Sequence, residues 1–281
     1  MILIAESGST KVTWALIDAE GNTRICNTGG INPFFLSGEE IRRVLEEEMI
    51  LPRNNISSVY FYGAGALPGK EGILSAVLSN FFKTESIEIH TDLLAAARSL
   101  CQRRRGIACI LGTGSNSCFY DGNKIVSNVP PLGFILGDEG SGAYLGRKLL
   151  SDILKKQFSQ PISDIFFANY PVTVEEILEN TYRKPFPNRY LAQYTRFIAR
   201  YIGQPEIYAL VNRAFEEFFL RNVMKYEHVA EMLVHFTGSV AFIFRKNLEE
   251  VAGSLGVNIG SITQNPMDGL IRYHLEAAFR R

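Results

Sequence analysis

The stretch Ile110-Leu111-Gly112-Thr113-Gly114-Ser115-Asn116 decides how the rest of the chain is read. Before it runs Ile107-Ala108-Cys109-Ile110-Leu111, apolar, short and rich in β-formers, which reads as a buried strand. Gly112 and Gly114 interrupt that strand and can take backbone angles closed to other residues. Thr113 and Ser115 add hydroxyls, and successive N–H groups in such a turn can form an anion-binding nest. One such turn is compatible with a plain hairpin, but the chain makes nearly the same statement twice. Ile2-Leu3-Ile4-Ala5 leads into Glu6-Ser7-Gly8-Ser9-Thr10, an alternating strand Lys11 to Asp18, a Gly21-Asn22 turn and a third strand. After Gly112 the order repeats through Ser117-Cys118-Phe119-Tyr120, the turn Asp121-Gly122-Asn123 and a strand Lys124 to Ser127. Two hairpins of phosphate-binding type, one in each half, suggest two related domains facing one nucleotide.

Length agrees with that division. The chain has 281 residues, above the usual single-domain size of about 100–200 residues. Lys+Arg and Asp+Glu are 29 each, so no global charge draws the protein to nucleic acid or an acidic membrane. The one dense basic run, Arg103-Arg104-Arg105, reads as a solvated helix end. The four cysteines, Cys26, Cys101, Cys109 and Cys118, lack metal-ligand spacing. Cys109 and Cys118 fall in apolar strands and read as core residues. No apolar run approaches the roughly 20 residues of a membrane helix, and the N-terminus shows no charged segment or cleavage site. The expectation is a soluble, reduced, cytoplasmic protein.

Along the chain, Gly29-Gly30-Ile31-Asn32-Pro33 is a loop, and Ser37 with Glu40 forms a capping box opening a helix over about 38–50. Val59 to Tyr62 is a strand leading into Gly63-Ala64-Gly65, and Ile73 to Phe81 carries helical spacing. Ile87 to His90 is a strand, and Thr91-Asp92 stands where it hands over to a helix, Leu93 to Cys101. An Asp there is also a good cap, but carboxyl ends of strands in open α/β sheets are where ligands bind. At that helix N-terminus the dipole should favour the ionised carboxylate of Asp92.

In the second half, Gly137-Asp138-Glu139-Gly140-Ser141-Gly142 sets glycines around two adjacent carboxylates, which suits backbone in close approach to a ligand. From about 143 to 228 the pattern is helical, and Phe166, Phe167, Tyr194, Phe197, Phe215 and Phe218 read as core. Leu233 to Phe236 is a buried strand ending in Thr237-Gly238-Ser239-Val240, a third Gly/Ser turn opening a helix. His90 and His235 read as satisfied core groups. Val257 to Ile262 is the last strand, and Asn265-Pro266 starts the final helix.

This order of motifs resembles the N-acetylglucosamine kinase family of the actin-like ATPase and sugar kinase superfamily, alongside the ATPases that activate benzoyl-CoA reductase. Glu6 to Lys11 resembles the first phosphate loop, Gly112 to Asn116 the second, and Gly238-Ser239-Val240 the adenosine motif. Asp92 resembles the catalytic aspartate, Gly137 to Ser141 the sugar-side loop, and Asn32 an asparagine that touches the sugar.

The resemblance implies an α/β fold of two ribonuclease-H-like domains with a nucleotide and sugar cleft between them. Residues 1–105 would form the first domain, with a C-terminal helix at 265–281 packing back on it. Residues 106–264 would form the second, with a helical insertion. It further implies ATP bound by Gly8, Ser9, Thr10, Lys11, Gly112, Thr113, Gly114, Ser115, Gly238, Ser239 and Val240. The amino sugar would lie against Asn32, Asp92, Thr113, Leu132, Gly133 and Asp138, with Asp92 as base and Glu139 in a supporting role. Mg²⁺ would ride on phosphates and waters, with Glu6 as a water-mediated anchor. A homodimer stays open. The chain departs from the family pattern at Glu6, where many relatives carry Asp. It departs also at Pro131-Leu132-Gly133, where the animal kinases carry Gly-Trp-Gly, so the sugar is left open among N-acetylglucosamine, glucosamine, N-acetylmannosamine and N-acetylmuramic acid. Two other classes stand beside the kinase: a reductase- or dehydratase-activating ATPase, which needs suitably placed cluster cysteines, and a silent sugar sensor.

Overall fold

The computed structural model describes residues 1–8, 11–33, 36–63 and 71–279. Its contacts divide into two units, residues 1–104, 122–124 and 266–281 in one, and residues 105–121 and 125–265 in the other.

The first unit is built on β1 (Ile2–Ser7), β2 (Lys11–Ile17), β3 (Thr23–Gly29), β4 (Ser58–Gly63) and β5 (Ile87–His90), ordered β3-β2-β1-β4-β5. The first three strands form an antiparallel meander, and β4 and β5 run parallel to β1. The period-two pleat gives the sheet two apolar faces. Leu3, Ala5, Trp14 and Phe61 meet α1 (Gly38–Glu48) and α2 (Glu71–Phe82) on one of them. Ile4, Ala15 and Tyr62 meet α3 (Asp92–Cys101) and the C-terminal helix α13 (Met267–Phe279) on the other. Helix α1 starts at the Ser37–Glu40 capping box and ends at Glu48.

Helices α3 and α13 cross at Gly269, where a Cβ would lie 2.2 Å from Ser99 Oγ. Gln102 Nε2 ties them by donating to the carbonyls of Ser99 and Gly269. Arg98 donates to the Tyr62 hydroxyl at 2.8 Å, which leaves that hydroxyl to donate to His274 Nε2 at 2.9 Å. Burial and the Arg98 charge push His274 down to about 3, so it is the neutral acceptor that this chain of bonds requires.

The second unit repeats the strand plan with β6 (Gly106–Leu111), β7 (Ser115–Tyr120), β8 (Ile125–Ser127), β9 (Val234–Thr237) and β10 (Ile259–Thr263), ordered β10-β9-β6-β7-β8. Again three strands are antiparallel, and β9 and β10 run parallel to β6. Between β8 and β9 lie α4 (Gly133–Leu136), α5 (Gly142–Leu154), α6 (Gln160–Asn169), α7 (Val174–Tyr182), α8 (Pro187–Ala192), α9 (Thr195–Arg200) and α10 (Pro205–Arg221). Two more helices, α11 (Ser239–Ile243) and α12 (Arg245–Ser254), separate β9 from β10. Phe166, Tyr194, Phe197, Phe215 and Phe218 are buried in the core, whereas Phe167 is 40% exposed, a correction to its reading as core. Helix α6 buries Phe166 and turns the adjacent residue outward. His235 is buried and its Nδ1 accepts the Ser261 amide at 3.0 Å, a satisfied core group.

Where α5 meets α8 the backbones touch: a Cβ on Gly146 would sit 1.9 Å from the Leu191 carbonyl oxygen. Gly146→Ala should therefore force the helices apart, lowering stability by about 2–3 kcal/mol and Tm by roughly 5–10 °C. Gly253→Ala in α12, where an added Cβ meets nothing within 4 Å, should instead raise stability by about 0.5–1 kcal/mol through helix propensity. Thermal melts of the two variants check both signs.

Candidate active site

In the first unit the site is laid out by strand register. Glu6 on β1 pairs with Tyr62 on β4, and Tyr62 pairs with His90 on β5, so their side chains share the face covered by α3. Asp92 follows two residues after His90 as the first residue of α3. The N-cap is Thr91, whose hydroxyl accepts the Leu94 amide, so capping does not depend on Asp92. The Asp92 carboxylate accepts the Leu93 amide at 2.8 Å.

Burial pushes Asp92 above the ordinary carboxylate range, against the lowering pull of that amide. This corrects the expectation that the helix dipole makes Asp92 more acidic: desolvation outweighs the helix terminus. Glu6 is pushed up to about 7, first by burial and then by the Asp92 charge, with Lys11 opposing. Lys11 itself is exposed at the start of β2. The Gly8 amide bonds to the Lys11 carbonyl at 3.0 Å and closes the turn, while Ser9 and Thr10 lie outside the described residues. Ser7 Oγ donates to the Ile31 carbonyl at 2.7 Å, which holds the loop carrying partly buried Asn32 against the end of β1. His90 is paired with Glu88 at 3.0 Å, in keeping with a satisfied group.

In the second unit three loops meet. The Gly112 amide closes on the Gly114 carbonyl at 2.9 Å, and the Gly112 and Thr113 carbonyls accept the first amides of α5, from Gly142 and Ala143. Ser115 donates its amide to Asp138 Oδ1 at 3.3 Å, and Gly114 lies flush on the same carboxylate. That bond removes one donor from the expected anion nest and leaves the amides of Thr113 and Gly114 unbonded among the described residues. Gly238 has φ +119, and a Cβ there would lie 2.3 Å from the Leu111 carbonyl oxygen, so only glycine fits. Exposed Ser239 and buried Val240 follow as the start of α11. Beside that turn the Thr237 and Thr263 hydroxyls, paired in register on β9 and β10, are buried without a hydrogen-bond partner among the described residues.

The loop from Pro131 to Gly142 is unusually conformed. Leu132 is left-handed at φ 60, followed by Gly133 at φ 73, and Asp138 is left-handed at φ 54. Leu132, Ile135 and Leu136 are 61, 68 and 69% exposed. Asp138 is buried and pushed up to about 6, chiefly by desolvation, with the Ser115 amide pulling it down and Glu139 pushing it up. Both oxygens of Glu139 are engaged, one by Arg221 and one by Asn222. Those two residues, with Thr237 and Thr263, are the site-proximal groups that sequence reading passed over; Thr237 had a signal, as neighbour of the Gly238 turn.

No protein-family model matches the chain, and no curated protein does. Among solved structures it is similar to a Porphyromonas gingivalis protein assigned as an N-acetylglucosamine kinase, with 45% identity, a TM-score of 0.94 and coverage of 98% of this chain and 99% of that one. A Chromobacterium violaceum protein assigned to the same activity shares 18% identity at a TM-score of 0.73, covering 97% and 99%. A ROK family glucokinase from Streptomyces griseus, solved with glucose and AMPPNP, shares 12% at 0.57, covering 97% of each chain. The last two likenesses speak to the fold alone. The duplicated five-stranded sheet is the fold of the actin-like ATPase and sugar kinase class. Within that class the chain belongs to the N-acetylglucosamine kinase family.

Glu6 titrates in a way that can be measured without any ligand. Its folded value of about 7 lies above the unfolded 4.5, so the folded chain binds this proton more tightly. The resulting stabilisation is full below about pH 4.5 and is lost as pH rises to about 7. The shift corresponds to no more than about 3 kcal/mol after allowance for solvent screening. Glu6→Gln should melt with the parent near pH 4.5 and roughly 5–10 °C above it at pH 8. An equal difference at both pH values would contradict the assignment.

Proposed function

We propose that the protein is an ATP-dependent kinase of an amino sugar, N-acetylglucosamine first among the candidates. The observation that carries this reading is Asp92: a carboxylate at a parallel strand's end, relieved of capping by Thr91 and raised in basicity by burial. General bases work best when their affinity for a proton is drawn toward the operating pH. The likeness to the Porphyromonas gingivalis protein over nearly the whole chain supports the choice of sugar class.

On this reading a sugar hydroxyl oxygen attacks the γ-phosphorus of ATP, the bond from that phosphorus to the bridging oxygen of ADP breaks, and the hydroxyl proton passes to Asp92. Phosphoryl transfer asks mainly for positioning and charge stabilisation. Lys11, the Gly8 turn and the Thr113 and Gly114 amides would serve the phosphates. Ser239, Val240 and the Gly238 turn would take the adenosine, with the unpartnered Thr237 and Thr263 hydroxyls as polar groups in reserve beside it. Asn32, Thr113, Gly133 and Asp138 would orient the sugar, and exposed Leu132 would offer it an apolar face.

Mg²⁺ supplies charge neutralisation on the phosphate oxygens when bound. Among the described residues no cluster of three His, Cys, Asp or Glu side chains could hold a metal. A single carboxylate, Glu6, therefore fits a cation that keeps its waters and phosphate ligands. An activator-type ATPase has less support, because all four cysteines are buried within single units' cores rather than gathered at a surface. No helix among the described residues is long and apolar enough to cross a membrane, and a cytoplasmic small-molecule kinase is the setting we propose.

The test is turnover with ATP and a panel of N-acetylglucosamine, glucosamine, N-acetylmannosamine and N-acetylmuramic acid. Asp92→Asn should keep sugar and ATP binding while kcat falls by roughly two to four orders of magnitude. Asn at a capping position would be nearly neutral, so retained turnover in a folded Asp92→Asn protein would remove Asp92 as the base.

A further inference from the structure

Asp138 sits in a conformation it would not choose. Its backbone is left-handed at φ 54, which costs a non-glycine residue of order 1 kcal/mol or more unless the surroundings enforce it. Local bonds account for part of that enforcement. The Asp138 amide bonds to the Pro131 carbonyl at 2.9 Å, and the Asp138 carbonyl accepts the Ser141 amide at 3.0 Å.

The remainder comes from a distant part of the chain. Glu139 is 6% exposed, and both its oxygens are taken. Arg221 Nε lies 2.7 Å from Oε1, and Asn222 Nδ2 donates to Oε2 at 3.2 Å. Asn222 is itself buried and is the C-cap of α10. One residue on, Gly140 at φ 71 lies so near α10 that a Cβ would meet Phe218 at 3.1 Å and Phe215 at 3.3 Å. The loop is thus pressed onto the last turns of α10 at two consecutive residues, one by charge and one by contact.

We propose that Arg221 and Asn222 position the sugar-side carboxylate Asp138 by clamping Glu139, so that the C-terminal end of α10 belongs to the substrate site although it touches no substrate. The inference rests on the kinase reading for what Asp138 does, and on this structure alone for how Asp138 is held. Its electrical consequence is specific. Asp138 is faced by the Ser115 amide from β7 and by the Glu139 charge from its own loop. Glu139 is faced by Arg221 and Asn222 from α10 and by the Tyr144 phenol from α5, which burial holds neutral and which hydrogen-bonds Glu217 beside Arg147. Arg221 is the cation that bonds Glu139 directly. Removing it leaves a buried anion uncompensated next to Asp138, which favours the protonated form of Asp138. Removing Glu139 does the reverse.

The experiment is a pH titration of the Asp138 side-chain carboxyl by ¹³C NMR on the full chain, its signal identified by loss in D138N. The parent midpoint should lie at about 6. R221Q should raise it by roughly half to one pH unit and E139Q should lower it, while the E139Q/R221Q double variant should follow E139Q. R221K, which restores the charge without the Nε geometry, should return the midpoint toward the parent value. In turnover assays R221Q should raise the sugar KM more than it lowers kcat, and should move the acid limb of kcat/KM in the direction of the NMR midpoint. Midpoints unchanged in R221Q and E139Q, or displaced in the same direction by both as general loosening would do, would overturn the proposal. A parent protein that phosphorylates no amino sugar would sink the kinase reading, while the NMR midpoints still decide the clamp.

Discussion

Withdrawing carboxylates from water is the constraint on which the candidate site depends. Glu6, Asp92 and Asp138 stand at strand ends or in a loop where burial disfavours their charge, and Glu139 is buried beside Asp138. Each is met by a different compensation. Asp92 has the Leu93 amide, Asp138 the Ser115 amide, Glu139 the Arg221 and Asn222 donors, and Glu6 the charge of Lys11. The compensations are unequal, and that inequality sorts the four groups. Glu139, with both oxygens bonded, is structural. Asp92, Asp138 and Glu6 are left incompletely satisfied and shifted toward neutrality, which is the condition of groups kept for a ligand.

The scaffold that holds them is one strand plan used twice. In each unit an antiparallel meander is extended by two parallel strands on its first strand's side, so the carboxyl ends of three parallel strands gather at one edge. In the second unit the turns after β6 and β9 come into backbone contact. Gly238 against the Leu111 carbonyl is the clearest instance, since no side chain fits between the turns after β6 and β9. The second unit adds α5 to α10, which contribute an aromatic core and supply, at the end of α10, the anchor for the loop that carries Asp138. The first unit instead clamps α3, the carrier of Asp92, between the sheet and α13 by the Arg98–Tyr62–His274 chain.

The loop before Asp138 carries an unusual amount of exposed apolar surface. Leu132 is left-handed and mostly exposed, and Ile135 and Leu136 share that exposure. Such a concentration of apolar surface beside a polar loop is uncommon for a segment with only structural duties. On the proposed kinase reading this surface would tune sugar preference only modestly, because apolar contacts discriminate by about 1–3 kcal/mol.

Periodicity and turn chemistry were legible in the sequence because they are local. The apolar strand runs, the Gly/Ser turns after them, the Ser37–Glu40 capping box and the repeat of strand–turn–strand order all depend on neighbours in the chain, and the two sheets follow the same plan. The motif order was enough to reach the family. What the sequence left open are the quantities set by burial and by distant partners. The helix N-terminus at Asp92 suggested a more acidic group, whereas desolvation, a property of the packed unit, raises it. Phe167 reads as core like Phe166 beside it, yet the direction of α6 turns it outward. Glu139 reads from the sequence as a support for Asp138, but nothing local names its own partners, Arg221 and Asn222, more than eighty residues away. No pattern along the chain encodes that meeting, because it exists only once α10 has packed against the loop; the tertiary structure decides it by bringing a cation to a carboxylate that has already lost its water.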